Sequence, residues 1–472
     1  MEIVFPTSTA PSRNPTEAGG RLINAYAEKA PDGARSQLLW RRAPGLETAF
    51  TAGEGTVRGT LLVGSVLYIA NDDNVYSVTK AGTTYTVNQL SGTLGGDGPV
   101  IFSHNMASPS EDILIVHSDG MASIASSTVS SFSDADLPSV NSITFMDAFF
   151  FVTSADGRCF SSDVNDTEFQ GTNYITAEAS PDGLVRAVAS GRDLLLMGQN
   201  STEFYGNTGN ATGFPFSRGP VIDIGLLSTY AVAGFDRGFP GALCWVGNDK
   251  AIYRLDGYTP TRISTPHIER LLEQVSDTSD LRASVYVAAG HPCWVLKSPD
   301  WTIVHDLSTG SWHERRSYQR VNWRAVFSVN AFSEWLVFDD ADGTVYRVND
   351  RVFKEAGEPL IWEVRSAQQH NFPARTAVDR ASFDFVTGVG SDRGIAPIET
   401  TPRASISWSD DGGRTFGNAL LRDLGTQGEV VPVDIWRTGL TGRHGRQWRL
   451  QVSDPVDVCL MGGSMFGEAR AS

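Results

Sequence analysis

The 472-residue sequence predicts an all-β fold: a β-propeller of about seven blades, then a C-terminal β-sandwich-like domain, with one short amphipathic helix. Three observations carry this. Glycine is abundant, proline is scattered throughout, and helix-forming residues rarely run together. Apolar runs of strand length recur, each closed by a turn rich in Asn, Asp or Gly. The turns lie about 37 to 51 residues apart, near the roughly 40–50 of propeller blades.

Seven such units can be read in order. The first pairs runs at 67–70 and 75–78 about Asn71-Asp72-Asp73-Asn74, and the second turns at His117-Ser118-Asp119-Gly120. The third turns at 154–157, and the fourth passes from Leu194-Leu195-Leu196-Met197 through Gly198-Gln199-Asn200 to Phe204-Tyr205. The fifth, sixth and seventh turn at 247–250, 298–300 and 341–343. One hairpin cannot bury its own apolar faces. Four-stranded blades packed about an axis can, and closing the ring leaves few exposed edges. The propeller is therefore expected over 57–350, with 1–56 as an N-terminal arm and closing strands and 351–472 as the sandwich-like domain. The polar, Pro-rich residues before Gly20 read as an arm that is mobile or pinned by a partner. The loop 206–220 reads as an insertion on the propeller surface, and 388–402 as an exposed mobile loop.

One helix interrupts the strands. Ile268, Leu271, Leu272 and Val275 recur at i, i+3, i+4 and i+7. Thr265 suits the cap, Pro266 the first turn and Glu269 the positive end of the dipole. Its apolar stripe is expected to dock on the propeller rim.

The net charge is −16, so the chain lacks the cationic excess needed to neutralise phosphates along nucleic acid. No apolar run approaches the roughly 18–20 residues that span a bilayer, and no signal peptide is evident. Four dispersed cysteines, Cys159, Cys244, Cys293 and Cys459, read as buried free thiols in a soluble protein made in a reducing compartment.

The sharpest short motif is Ser409-Asp410-Asp411-Gly412-Gly413-Arg414-Thr415-Phe416, an Asp box of pattern S-x-D-x-G-x-T-[WF]. Ser409, Asp411, Gly413, Thr415 and Phe416 are expected to build a structural turn by hydrogen-bonding local backbone and anchoring the hairpin. His291, Cys293, His305 and His313 hold no recognised ligand spacing and read as structural, and Asp339, Asp340 and Asp342 as a solvated turn. No catalytic, cofactor or metal motif is found. The expectation is a non-enzyme without cofactors. Asn210-Ala211-Thr212 is formally a glycosylation sequence, but nothing else points to secretion.

Residues 174–228 carry a resemblance. Tyr174, Ala177-Glu178, Pro181-Asp182-Gly183, Arg192-Asp193, Gly198 with Ser201-Thr202-Glu203, Thr208-Gly209-Asn210 and Ile224-Gly225 occur in an order similar to that of the phage packaged-DNA stabilisation proteins. These are tail hub or nozzle proteins of short-tailed phages. Asn24, Pro44-Gly45-Leu46, Ile263-Ser264, Ile268-Glu269 and Leu271-Leu272 extend the match along most of the chain. The resemblance implies a structural protein of the virion tail, synthesised in the host bacterial cytoplasm. Six copies would form a tube below the portal adaptor, close the channel on packaged DNA, and carry tailspikes or fibres and a needle or plug. DNA would pass the lumen without sequence-specific binding. The alternative is a propeller glycoside hydrolase or glycan-binding module acting on host surface polysaccharide.

Overall fold

The computed structural model describes residues 1–11, 19–177, 182–210, 213–391 and 396–470. Among the described residues seven four-stranded antiparallel blades follow one another round a ring, five as separate sheets and the last two as parts of larger sheets. Blade 1 comprises Val57–Val63, Val66–Asn71, Asn74–Ala81 and Thr84–Gln89. Blades 2 to 6 start at Ile101–His104, Ser142–Met146, Leu184–Ser190, Val232–Ala233 and Arg282–Ala288. Blade 7 has only three strands in sequence, Ala325–Ala331, Glu334–Asp339 and Thr344–Asn349. Its fourth is Gly45–Thr51, which pairs antiparallel with Thr344–Asn349 and locks the two ends of the ring together.

Each of the seven hairpins read from the sequence is the second-to-third-strand hairpin of one blade. Second strands such as His291–Lys297 and Glu334–Asp339 are buried along most of their length because neighbouring blades cover both faces. Apolar wedges fill the gaps between blades. One, with Val57, Leu67, Ile69 and Val78 against Leu336, Phe338 and Val345, joins blade 1 to blade 7. Phe151 packs across the blade 3–4 gap against Phe214 and Phe216, at ring-centroid distances of 5.6 and 4.8 Å. Phe216 opens the fourth strand of blade 4, Phe216–Ile222. The expected 206–220 insertion is thus partly the blade's own outer strand, drawn in by that phenylalanine. Its residues 211–212, with most of the Asn210-Ala211-Thr212 sequence, lie outside the described residues, as do Ser180 and Pro181 of the turn before blade 4.

The helix spans Pro266–Glu273 between blades 5 and 6, and Ile268 and Leu272 are buried in the core those blades share with blades 4 and 7. Thr265 stands at the cap position in extended conformation, but its side chain makes no cap bond. Glu269 instead accepts from Arg262 Nε (2.7 Å) and Ser264 Oγ (2.6 Å), which ties the helix back to blade 5.

Two further sheets form a sandwich. One continues blade 6 outward: Ser311–Glu314, Arg21–Ile23, Trp362–Arg365, Gln447–Val452, Arg403–Ser409 and Leu420–Asp423. The other comprises Ala25–Lys29, Leu38–Arg42, Cys459–Arg470, Arg375–Phe385 and Val433–Leu440. Between them lie Trp40, Trp362, Phe383, Ile406, Trp448 and Leu460. Residues 21–42 are therefore sandwich strands and 45–51 the closing strand. The start of the arm is pinned by its own chain, because Ile3 and Phe5 are apolar enough to enter this core; residues 12–18 lie outside the described residues. In 388–402, the amides of Gly388 and Gly390 bond to Leu424 O (2.9 Å) and Gly425 O (3.0 Å), and residues 392–395 lie outside the described residues.

Asn24 turns the chain between the first two strands at φ 49°, a left-handed conformation that asparagine tolerates. Its amide donates to Arg316 O (2.9 Å) and Ile361 O (3.0 Å) and accepts from Arg316 N (3.0 Å). One side chain thereby fastens sandwich to propeller.

Candidate functional site

The Asp box is a self-contained turn. Ser409 Oγ donates to Asp411 Oδ1 (2.6 Å) and accepts from Gly413 N (2.8 Å). Asp411 also accepts from Arg414 N (3.0 Å), Thr415 N (3.0 Å) and Thr415 Oγ1 (2.5 Å). These donors hold its carboxyl well below the usual range. Gly413 takes φ 89°, which a glycine adopts without strain. Phe416 lies under Arg449 and Arg365, with guanidinium carbons 4.3 and 5.3 Å from the ring centre. Both carboxylate oxygens of Asp411 are thus engaged on their own loop.

His291, Cys293, His305 and His313 are brought together in blade 6, three of them at a cavity of about 260 Å³ on the seam with the sandwich. Tyr26, Glu28, Arg41 and Arg42 line its sandwich side. His291 Nδ1 pairs with Asp306 Oδ2 at 2.7 Å, and that hydrogen bond raises the imidazole pKa. The Tyr26 ring packs at a tilt against His291 and His313, with ring centres 5.0 and 6.1 Å away. Burial drives the His313 pKa down to about 3, assisted by the Arg315 charge, and that of His305 to about 4. Burial also pushes the Cys293 thiol up to about 12. Two neutral imidazoles, a protonated thiol and a carboxylate already held by histidine give a packed polar seam. Among the described residues no three His, Cys, Asp or Glu side chains are placed to hold a metal. All four cysteines are free and buried.

The Asp339–Asp342 turn is occupied by protein partners. Asp340 binds Lys297 (2.5 Å) and Arg320 (2.6 Å), Asp339 accepts from Tyr346 Oη (2.8 Å), and Asp342 accepts from Thr344 N (2.8 Å).

Sequence reasoning missed the propeller axis. First strands of six blades line a narrow cavity of about 330 Å³ carrying Arg186 and Tyr230. Beside it, with Phe327 lining both, lies a wider mouth of about 810 Å³ lined by Arg58, Arg282, Asp73, Asp97 and Asp280. The three arginines lie in the first strands of blades 1, 4 and 6. They are far apart in sequence and meet only once the ring closes, so the one available signal was an arginine recurring at the innermost-strand position.

Buried ion pairs weld the parts together. Glu314 accepts from Arg21 Nε (2.8 Å) and Nη2, Thr9 Oγ1 (2.8 Å) and Arg316 Nη2 (3.1 Å). Burial alone would raise its pKa, but the Arg21 charge and these bonds hold it at about 2. Arg315 and Glu355 pair at 2.7 Å with both side chains fully buried.

Taken together, a seven-bladed ring closed by its own N-terminal strand and a sandwich grown from blade 6 define a β-propeller protein. The sequence matches the model of the family described as "Bacteriophage P22 Gp10, beta-propeller" over residues 21–352, from the first sandwich strand to just past blade 7. The chain belongs to this phage packaged-DNA stabilisation family. No curated protein matches the sequence. Among solved structures it is similar to the WD40 β-propeller domain of Doa1, at 13% identity and a TM-score of 0.41, covering 64% of this chain and 96% of that one.

Proposed function

We propose that this protein is a tail hub or nozzle subunit of a short-tailed phage. It closes the portal–adaptor channel, retains packaged DNA and offers attachment to tailspikes or fibres and to a needle or plug. The observation that carries this reading is the family match, which runs through all seven blades and includes the closing strand. The subunits form a closed homohexameric ring through heterologous contacts. Exposed large apolar side chains favour the sandwich as a docking region: Leu421, Val430, Trp436, Leu440 and Phe466 all belong to it.

The DNA path in this reading runs between subunits. The cavity on the propeller axis, about 330 Å³, is far too small for a duplex whose major groove alone is about 12 Å wide. A net charge of −16 suits a conduit wall to which DNA does not adhere. Imaging of the purified protein mixed with its adaptor tests the reading. Six-fold rings on the adaptor are expected, while absence of both rings and adaptor binding would overturn it. A strongly basic lumen in the ring would overturn the conduit argument alone.

A further inference from the structure

Three arginines from three different blades converge on Tyr230 at the propeller axis. The guanidinium carbon of Arg282 lies 5.1 Å from the tyrosine ring centre and that of Arg186 5.8 Å. The tyrosine hydroxyl donates to Pro99 O (2.8 Å), and Arg58 Nε donates to the preceding carbonyl, Gly98 O (2.6 Å). Arg58 also donates to Asp72 O (3.0 Å) and Gly95 O (3.1 Å), Arg282 to Ser279 O and Leu281 O (3.0 Å), and Arg186 to Thr229 O (2.8 Å). Each of these acceptors is a backbone carbonyl. Among the described residues no carboxylate forms an ion pair with any of the three. Many other arginines carry ion pairs, including the fully buried Arg315 and Arg446, while the buried Arg42 of the sandwich, like these three, bonds to backbone carbonyls alone; what sets the axis apart is that three such arginines from three blades meet there.

A guanidinium has five N–H donors. Arg186 uses one on protein, and its Nε is buried without a partner. Burial lowers the pKa of all three side chains, the mark of cations held away from solvent with incomplete compensation. Arginine forks are the side chains best matched to phosphate oxygens. Asp73, Asp97 and Asp280 line the same mouth as Arg58 and Arg282, and Asp236 lines the cavity with Arg186, so the cationic points are interspersed with carboxylates, which suits a small anion better than a long polyanion threading through.

We propose that the propeller axis is a binding site for a small phosphate-bearing anion, held by Arg58, Arg186 and Arg282 around Tyr230. The site is internal to one subunit, so it stands or falls separately from the assembly proposed above. The test is calorimetric titration of the full chain with inorganic pyrophosphate at fixed ionic strength. One-to-one saturable binding is expected, weakened about tenfold or more in Arg186→Gln and again in Arg282→Gln. In the unaltered protein, pyrophosphate should also shield Arg186 and Arg282 from modification by phenylglyoxal, a readout that survives if either variant fails to fold. Absence of saturable heat, undiminished binding by folded variants, or equal modification with and without pyrophosphate would overturn the site. A short oligothymidylate binding more tightly than pyrophosphate through the same arginines would overturn the assignment to a small anion.

Discussion

Replacing Glu355 with alanine should uncouple the ends of the ring. The Glu355 carboxylate accepts from Arg315 Nη2 (2.7 Å), Trp323 Nε1 (2.8 Å) and Ser317 Oγ (2.7 Å). Arg315 in turn donates to Pro44 O (2.9 Å), beside the closing strand, and lies 4.5 Å above the Trp323 ring. Glu355→Ala therefore strands a fully buried guanidinium with one carbonyl and orphans two neutral donors. Breaking a buried pair from one side costs about 3–5 kcal/mol. The orphaned donors share the same carboxylate, so their costs of about 1 kcal/mol each overlap with that figure rather than add in full. Against a total stability of about 5–15 kcal/mol, that loss is large. Urea unfolding followed by tryptophan fluorescence should show a lower midpoint at unchanged slope. Glu355→Gln should lose less because it keeps an acceptor, and Arg315→Met combined with Glu355→Leu should recover most of the loss. A loss below about 1 kcal/mol for Glu355→Ala, or a double variant as weak as the single one, would refute the claim that this pair couples the ring ends.

Other outcomes follow from the same geometry. Gly45→Ala places a Cβ 2.2 Å from Val352 O and 2.4 Å from Lys354 O, both backbone atoms, and should cost about 1–3 kcal/mol and expose the N-terminal strand to limited proteolysis. Acid should destabilise the fold in two stages, read as urea midpoints against pH. His305 and His313, near 4 and 3 in the fold against about 6.5 unfolded, contribute stability that is full above 6.5 and falls away below it, about 2 kcal/mol each by pH 5. Glu314, near 2 against about 4.3 unfolded, adds a second loss from pH 4.3 downward. His291 works in the opposite sense: its raised pKa gives stability present below about 6.5 and lost as pH rises through the folded value. The combined His305→Gln, His313→Gln variant should flatten the first stage, and a midpoint already constant from pH 7 to 5 in the parent protein would contradict the assignment. Trp436→Ser with Phe466→Ser should leave monomer stability within about 0.5 kcal/mol, yet abolish ring formation if the sandwich is the docking region.

The parts of the fold legible in sequence were those whose signal is local. Second strands read clearly because burial on both faces makes them continuous apolar runs, as in Leu194-Leu195-Leu196-Met197. Outer strands such as Thr259–Arg262 face solvent and left no such trace. The Asp box was legible because its donors and acceptor lie within seven residues. The strands Arg21–Ile23 and Leu38–Arg42 were recognisable as strands, but nothing near them in sequence says that they pair with Trp362–Arg365 and Cys459–Arg470. Gly45 and Asn24 stood out as residues before their roles were visible: the glycine admits two backbone carbonyls, and the asparagine makes a left-handed bend that clamps two loops. The axial arginines were invisible because their relation is angular, set by the closed ring.

The closing strand also imposes a schedule on synthesis. Glu47 and its ion-pair partner Arg347 are 300 residues apart. At about 5–20 residues per second, the first strand of the ring waits roughly 15–60 s for its partner to leave the ribosome. Blades 1 to 6 can form as they emerge, while Gly45–Thr51 remains an unpaired edge throughout. Nascent chains on one polysome would hold such edges close together, where a strand could enter a neighbour's seventh blade instead of its own. A brisk finish to translation, or a chaperone holding the N-terminus, would then decide how many chains close on themselves.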